Sequence, residues 1–118
     1  MTNSGSLPFT EIDVEAFNLK LQENSGDLQL IDVREPNEIA IASIPGFKAY
    51  PLSQYSTWGE QILDQLDPNG ETYVLCHHGM RSAQMCGWLS QQGFTSVINI
   101  SGGIDAFSQL VDAQIPRY

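Results

Sequence analysis

The chain alternates short, nearly continuous apolar runs with stretches whose apolar residues recur every three or four positions. Leu28 to Val33 is one such run, and its density predicts a strand covered on both faces. Glu71 to Leu75 and Ser96 to Ile100 have the same character. Helical spacings lie between them. Val14, Phe17 and Leu21 share one face of a helix capped by Asp13, and Asn24-Ser25-Gly26-Asp27 stops it. Pro36 suits the first turn of a short helix reaching about Ala42. Pro45-Gly46 turns the chain into a short extended stretch ending at Tyr50. Ser56 or Thr57 opens a further helix, with Trp58, Ile62 and Leu66 spaced four apart, closed by Asp67-Pro68-Asn69-Gly70. Ala83 to Gln92 predicts a helix that buries Met85, Trp88 and Leu89 and ends at Gly93. The last helix lies around Asp105 to Leu110, after Gly102-Gly103. Strands alternating with helices predict an α/β fold: a mainly parallel sheet with helices on both faces. Such sheets bind ligands beyond the carboxyl ends of their strands, where Asp32, Arg34 and Cys76 should meet.

The chemistry concentrates in Cys76-His77-His78-Gly79-Met80-Arg81-Ser82, between a strand end and a helix start. Backbone N–H groups converge at such a junction, and the helix dipole points its positive end there, so both favour a thiolate. Gly79 allows a tight return of the loop. Arg81 adds a cation, and Ser82 reads as the N-cap of the helix. These residues together describe a nucleophilic cysteine in a cradle for an anion.

At 118 residues the chain is long enough for one core. Fourteen acidic residues against five basic ones give a formal net charge of −9, which argues against nucleic acid and anionic membrane surfaces. No apolar run approaches the length that spans a bilayer, and no signal-peptide pattern opens the chain. Two cysteines suit a reducing cytoplasm better than a disulfide scaffold. The small polar start predicts a flexible lead over residues 1–9 and a single domain over residues 10–118.

The cysteine loop resembles that of the rhodanese (thiosulfate sulfurtransferase) family in its small single-domain form, where many members read C-x-x-G-x-R-S. Leu30-Ile31-Asp32-Val33-Arg34-Glu35 with Glu38 is similar to the family's D-V-R-E-x-x-E segment. Ser43-Ile44-Pro45-Gly46 is similar to H-I-P-G-A, with Ser43 in place of histidine and Phe47 in place of alanine. Gly93-Phe94, Val97-Ile98-Asn99-Ile100 and Gly102-Gly103-Ile104 resemble the family's closing G-F…V-x-x-L-x-G-G. The resemblance implies a rhodanese-like domain with a central, mainly parallel five-stranded sheet. It implies a sulfurtransferase that moves a sulfane sulfur from thiosulfate or a related donor to cyanide or a thiol, through a persulfide on Cys76. The backbone amides of residues 77–82 would hold the persulfide, and Arg81 the sulfonate oxygens of thiosulfate. No cofactor and no metal are required. Its partners would be a small sulfur-donor anion and a thiophilic acceptor, with a protein donor or acceptor as a further class. A carrier or regulatory module with little thiosulfate turnover is the alternative.

Other readings weigh less. Adjacent histidines on a tight loop do not easily reach one tetrahedral centre, which argues against zinc held by Cys76, His77, His78 and Cys86. Cysteine phosphatases place five residues between cysteine and arginine, and this loop has four. His77 and His78 read as loop side chains whose amides matter. Asp32 and Arg34 read as structural supports, since a carboxylate close to Cys76 would disfavour its thiolate. Cys86 reads as core packing rather than a resolving thiol.

Overall fold

A computed structural model describes residues 8–23 and 27–118. Five strands form one sheet: β1 (Thr10–Ile12), β2 (Gln29–Asp32), β3 (Lys48–Ala49), β4 (Thr72–Leu75) and β5 (Val97–Ile100). Their order is β1-β5-β4-β2-β3, and every pairing is parallel. Six helices accompany them among the described residues: α1 (Val14–Glu23), α2 (Pro36–Ile41), α3 (Tyr55–Trp58), α4 (Ile62–Gln65), α5 (Met80–Gln91) and α6 (Gly103–Leu110). This is the α/β, five-stranded parallel architecture expected from the sequence.

Strand alternation divides the core into two layers. Val74 of β4 faces Ile31, Val33, Trp58, Ile62, Met85, Leu89 and Val97. Tyr73 and Leu75, pointing the other way, join Val14, Phe17, Ile104 and Phe107. All four residues of β4 are buried, so this strand and its loop are anchored on both faces. From β2 the chain moves outward to β3, and from β4 it moves the opposite way to β5. The crevice between the carboxyl ends of β2 and β4 is therefore the topological switch point, where ligands of open α/β sheets bind.

Four local differences from the sequence reading have physical causes. β1 was not foreseen, because three residues on an edge, all at least partly exposed, carry no apolar signature. The helix expected from Ser56 to Leu66 is two single turns, α3 and α4, divided around Gly59, a weak helix former. A 3-10 turn at Leu52–Gln54 leads into them. α6 starts at Gly103, two residues before Asp105. Helix α5 starts at Met80 rather than Ala83, because Gly79 at φ +103° turns the chain sharply enough to begin it at once. Ser82 is consequently not the N-cap but lies buried in the first turn. The stop expected at Asn24-Ser25-Gly26 and most of the lead expected over residues 1–9 lie outside the described residues.

Candidate active site

Cys76 leaves the end of β4, is almost wholly buried, and lines a cavity of about 360 Å³. His77, His78, Met80, Arg81 and Gln84 form the rest of the wall. The Gly79 N–H donates to Cys76 Sγ at 3.0 Å, so the tight turn aims an amide at the nucleophile. The loop's carbonyls are drawn the other way. Ile104 and Asp105, at the start of α6, donate their N–H groups to the carbonyls of Cys76 (2.9 Å) and His77 (3.1 Å). That contact requires bare backbone at Gly103, where a Cβ would come within 2.4 Å of both carbonyl oxygens. With those two carbonyls drawn away, the Gly79 N–H meets the sulfur, the kind of donor an anionic sulfur needs.

A polar chain backs the sulfur. Ser82 Oγ lies 3.2 Å from Cys76 Sγ and donates to Asn99 Oδ1 at 2.5 Å. Asn99 Nδ2 donates to the Gly79 carbonyl and to Glu11, which fixes the amide's orientation. With its one hydrogen committed to Asn99, Ser82 accepts from a Cys76 thiol. Once the sulfur is anionic, the same hydroxyl can turn its hydrogen toward it.

Arg81 lines the cavity, but its fork is engaged. Nη1 and Nη2 donate to Glu38 Oε1 and Oε2 at 2.7 and 2.9 Å, a bidentate pair. The cation expected beside the cysteine is therefore neutralised by Glu38, a residue that the site reading did not include. Arg81's hydrogen bonds hold the Glu38 carboxyl down at about 2. The pair's contribution to stability is full above the usual carboxylate range and is lost as pH falls through about 2. Arg34 sits behind it, fully buried, with Asp32 on Nε and Nη2 at 2.7–3.2 Å. Arg34 also donates to the carbonyl of Glu38 within α2, to that of Ala42 just after it, and to Tyr118 Oη. This geometry makes Asp32 and Arg34 the brace that holds α2, and with it Glu38, against the site.

Tyr118 joins these parts. Its hydroxyl donates to Glu38 at 3.0 Å, and its ring stacks on His77 with centroids 3.9 Å apart and planes 7° off parallel. His77 stacks on His78 in turn, and its buried Nε2 makes no hydrogen bond. Burial, then the neighbouring His78, push the His77 imidazole below its usual range, so it adds no fixed positive charge. His77, His78 and Asp105 bring donor atoms within 4.8 Å of one another. Asp105 is already bound by Arg117 and Gln109. The group includes neither Cys76 nor Cys86, so the four-residue zinc set weighed from the sequence is not the one brought together.

The chain's likeness to known proteins falls on this same loop and sheet. The family pattern described as "Rhodanese-like domain" matches residues 16–110. The chain belongs to the rhodanese-like domain family. It is 52% identical over 113 residues to Rhodanese-like/PpiC domain-containing protein 12, chloroplastic, of Arabidopsis thaliana, covering 94% of this chain and 38% of that protein. The chain thus spans well under half the length of that relative. It is 32% identical to a sulfurtransferase of Allochromatium vinosum, over 84% of this chain and 88% of the other. Among solved structures, a rhodanese-like domain protein from Staphylococcus aureus superposes with a TM-score of 0.75 at 26% identity, covering 93% of this chain and 99% of that one.

Within this rhodanese-like domain the loop residues from Cys76 to Ser82 are brought together as the sequence suggested. Glu38, Asn99 and Tyr118 were missed as site residues. Glu38 and Asn99 stood inside quoted motifs, but nothing in their spacing showed that they reach the cysteine loop. Tyr118 carried no signal at all, since its contacts join residues up to 84 positions apart. Cys86 is fully buried in α5, and burial pushes its thiol well above the usual range. Cys86→Ala is expected to leave the chemistry at Cys76 unchanged and to cost on the order of 1 kcal/mol in urea unfolding. Loss of activity at unchanged stability would instead assign it a resolving role. No helix among the described residues is long and apolar enough to cross a membrane.

Proposed function

We propose that this domain is a sulfurtransferase in which Cys76 takes a sulfane sulfur from thiosulfate or a related donor and hands it to cyanide or a thiol. The observation that carries this reading is the Gly79 N–H on the sulfur of Cys76, a residue that lines a cavity. The Cys76 thiolate attacks the outer sulfur of thiosulfate. A new S–S bond forms to Cys76, the donor's S–S bond breaks, and sulfite leaves with the bonding pair. The acceptor, cyanide or a thiolate, then attacks the terminal sulfur and frees the Cys76 thiolate. Sulfite leaves without a proton, so the step needs no general acid. The amides of His77, His78, Gly79, Met80, Arg81 and Ser82 are the cup for the transferred sulfur, and the Ser82 hydroxyl is a further donor to it. Two free cysteines suit a reducing compartment such as the cytoplasm.

The test is mass spectrometry of the protein after incubation with thiosulfate and, separately, with an organic persulfide. A gain of one sulfur on the peptide holding Cys76, removed by cyanide as thiocyanate, is the expected result. No gain with either donor would overturn the reading. Sulfur loading without turnover to cyanide from either donor would favour the carrier role.

A further inference from the structure

All three arginines of the chain direct their charge at carboxylates: Arg34 at Asp32, Arg81 at Glu38 and Arg117 at Asp105. Only Arg81 of these lines the cavity at Cys76. Its partner Glu38 is held by four hydrogen bonds, two from Arg81, one from Tyr118 Oη and one from the Glu35 N–H. A carboxylate so fixed does not swing aside when a donor enters. The cavity therefore offers an incoming anion backbone amides but no uncompensated guanidinium, in a chain of net charge −9.

We infer that Glu38 determines the charge class of the sulfur donor: by neutralising Arg81 it disfavours a dianion such as thiosulfate and favours an organic persulfide, which carries at most one charge and gives up its sulfur in the protonated form, R–S–SH. This rests on Cys76 being the sulfur acceptor. The step balances without a co-reactant. The Cys76 thiolate attacks the outer sulfur of R–S–SH, the new S–S bond forms as the donor's breaks, and R–S⁻ leaves. The proton stays on the transferred sulfur. Thiosulfate would bring two charges to a rim whose one guanidinium is already matched, and would have to displace a bidentate carboxylate to reach it.

Glu38→Gln separates charge from scaffold, because the amide keeps a carbonyl oxygen for the Glu35 N–H that caps α2. The experiment measures kcat/KM for thiosulfate and for the persulfide of 2-mercaptoethanol, with folding checked by thermal melting. In the wild-type protein the persulfide should be used more efficiently by roughly tenfold or more. In Glu38→Gln the thiosulfate value should rise roughly tenfold, mostly through KM, and the ratio between donors should collapse. Adding Arg81→Gln to that variant should remove the gain. Equal use of both donors by the wild-type protein, or no rise for thiosulfate in a folded Glu38→Gln, overturns the inference. If that variant does not fold, the wild-type ratio decides. Failure of both donors to load sulfur on Cys76 is a different result, and overturns the sulfur-transfer reading itself.

Discussion

Cys76→Ser is expected to reduce sulfur transfer to the uncatalysed background while leaving the melting temperature within a few degrees of wild type. The hydroxyl oxygen is not appreciably ionised near neutral pH and does not carry a sulfane sulfur. The rest of the cup survives, because the Gly79 N–H and Ser82 Oγ that meet Cys76 Sγ find an oxygen able to accept or donate in the same place. The side chain is slightly smaller and nearly fully buried, so the structural cost should stay within about 1–2 kcal/mol. Rates with an organic persulfide and with thiosulfate, beside circular dichroism, check both halves. Turnover near wild type in the folded variant would remove Cys76 from the chemistry. Loss of folding would show that the thiol acts first as a core residue.

The sequence was most legible where local pattern and long-range packing agree. Leu28 to Val33 and Glu71 to Leu75 are dense apolar runs because β2 and β4 are covered on both faces, so composition alone marks them. Cys76 was legible for a similar reason, since strand end, glycine and helix start are neighbours in the chain. β1 was not legible, because an edge strand of three residues takes its structure from pairing with β5 rather than from burial. The charge balance of the site was hidden for a further reason. Arg81 and Glu38 lie 43 positions apart, and spacing along the chain says nothing of an ion pair across the crevice between two strands. The arginine could be read from its motif, but its neutralisation could not. The difference bears on donor choice, whereas the placement of the nucleophile is unaffected.

The second large effect is expected in the brace rather than the cup. Arg34 is fully buried and connects Asp32 at the end of β2 to the carbonyls of Glu38 and Ala42 and to Tyr118 Oη. Arg34→Ala removes all of these bonds and leaves the Asp32 carboxylate, 2% exposed, facing a cavity with only the residue-34 N–H as a donor. Breaking one side of a buried pair costs roughly 3–5 kcal/mol. Against a total stability of about 5–15 kcal/mol for a domain, that is a large share. The melting temperature should fall by roughly 10–20 °C. Arg34→Lys should recover little, because an ammonium does not reproduce the fork that reaches a carboxylate, two carbonyls and a phenol at once. Pairing Arg34→Met with Asp32→Asn should recover more than Arg34→Met alone, since no unpaired charge remains buried. Thermal melting of these variants decides the question. A fall of only one or two degrees in Arg34→Ala would mean that water replaces the guanidinium and that the brace carries little. A large fall that the double variant does not relieve would place the cost in the lost α2 and Tyr118 contacts instead of the stranded carboxylate.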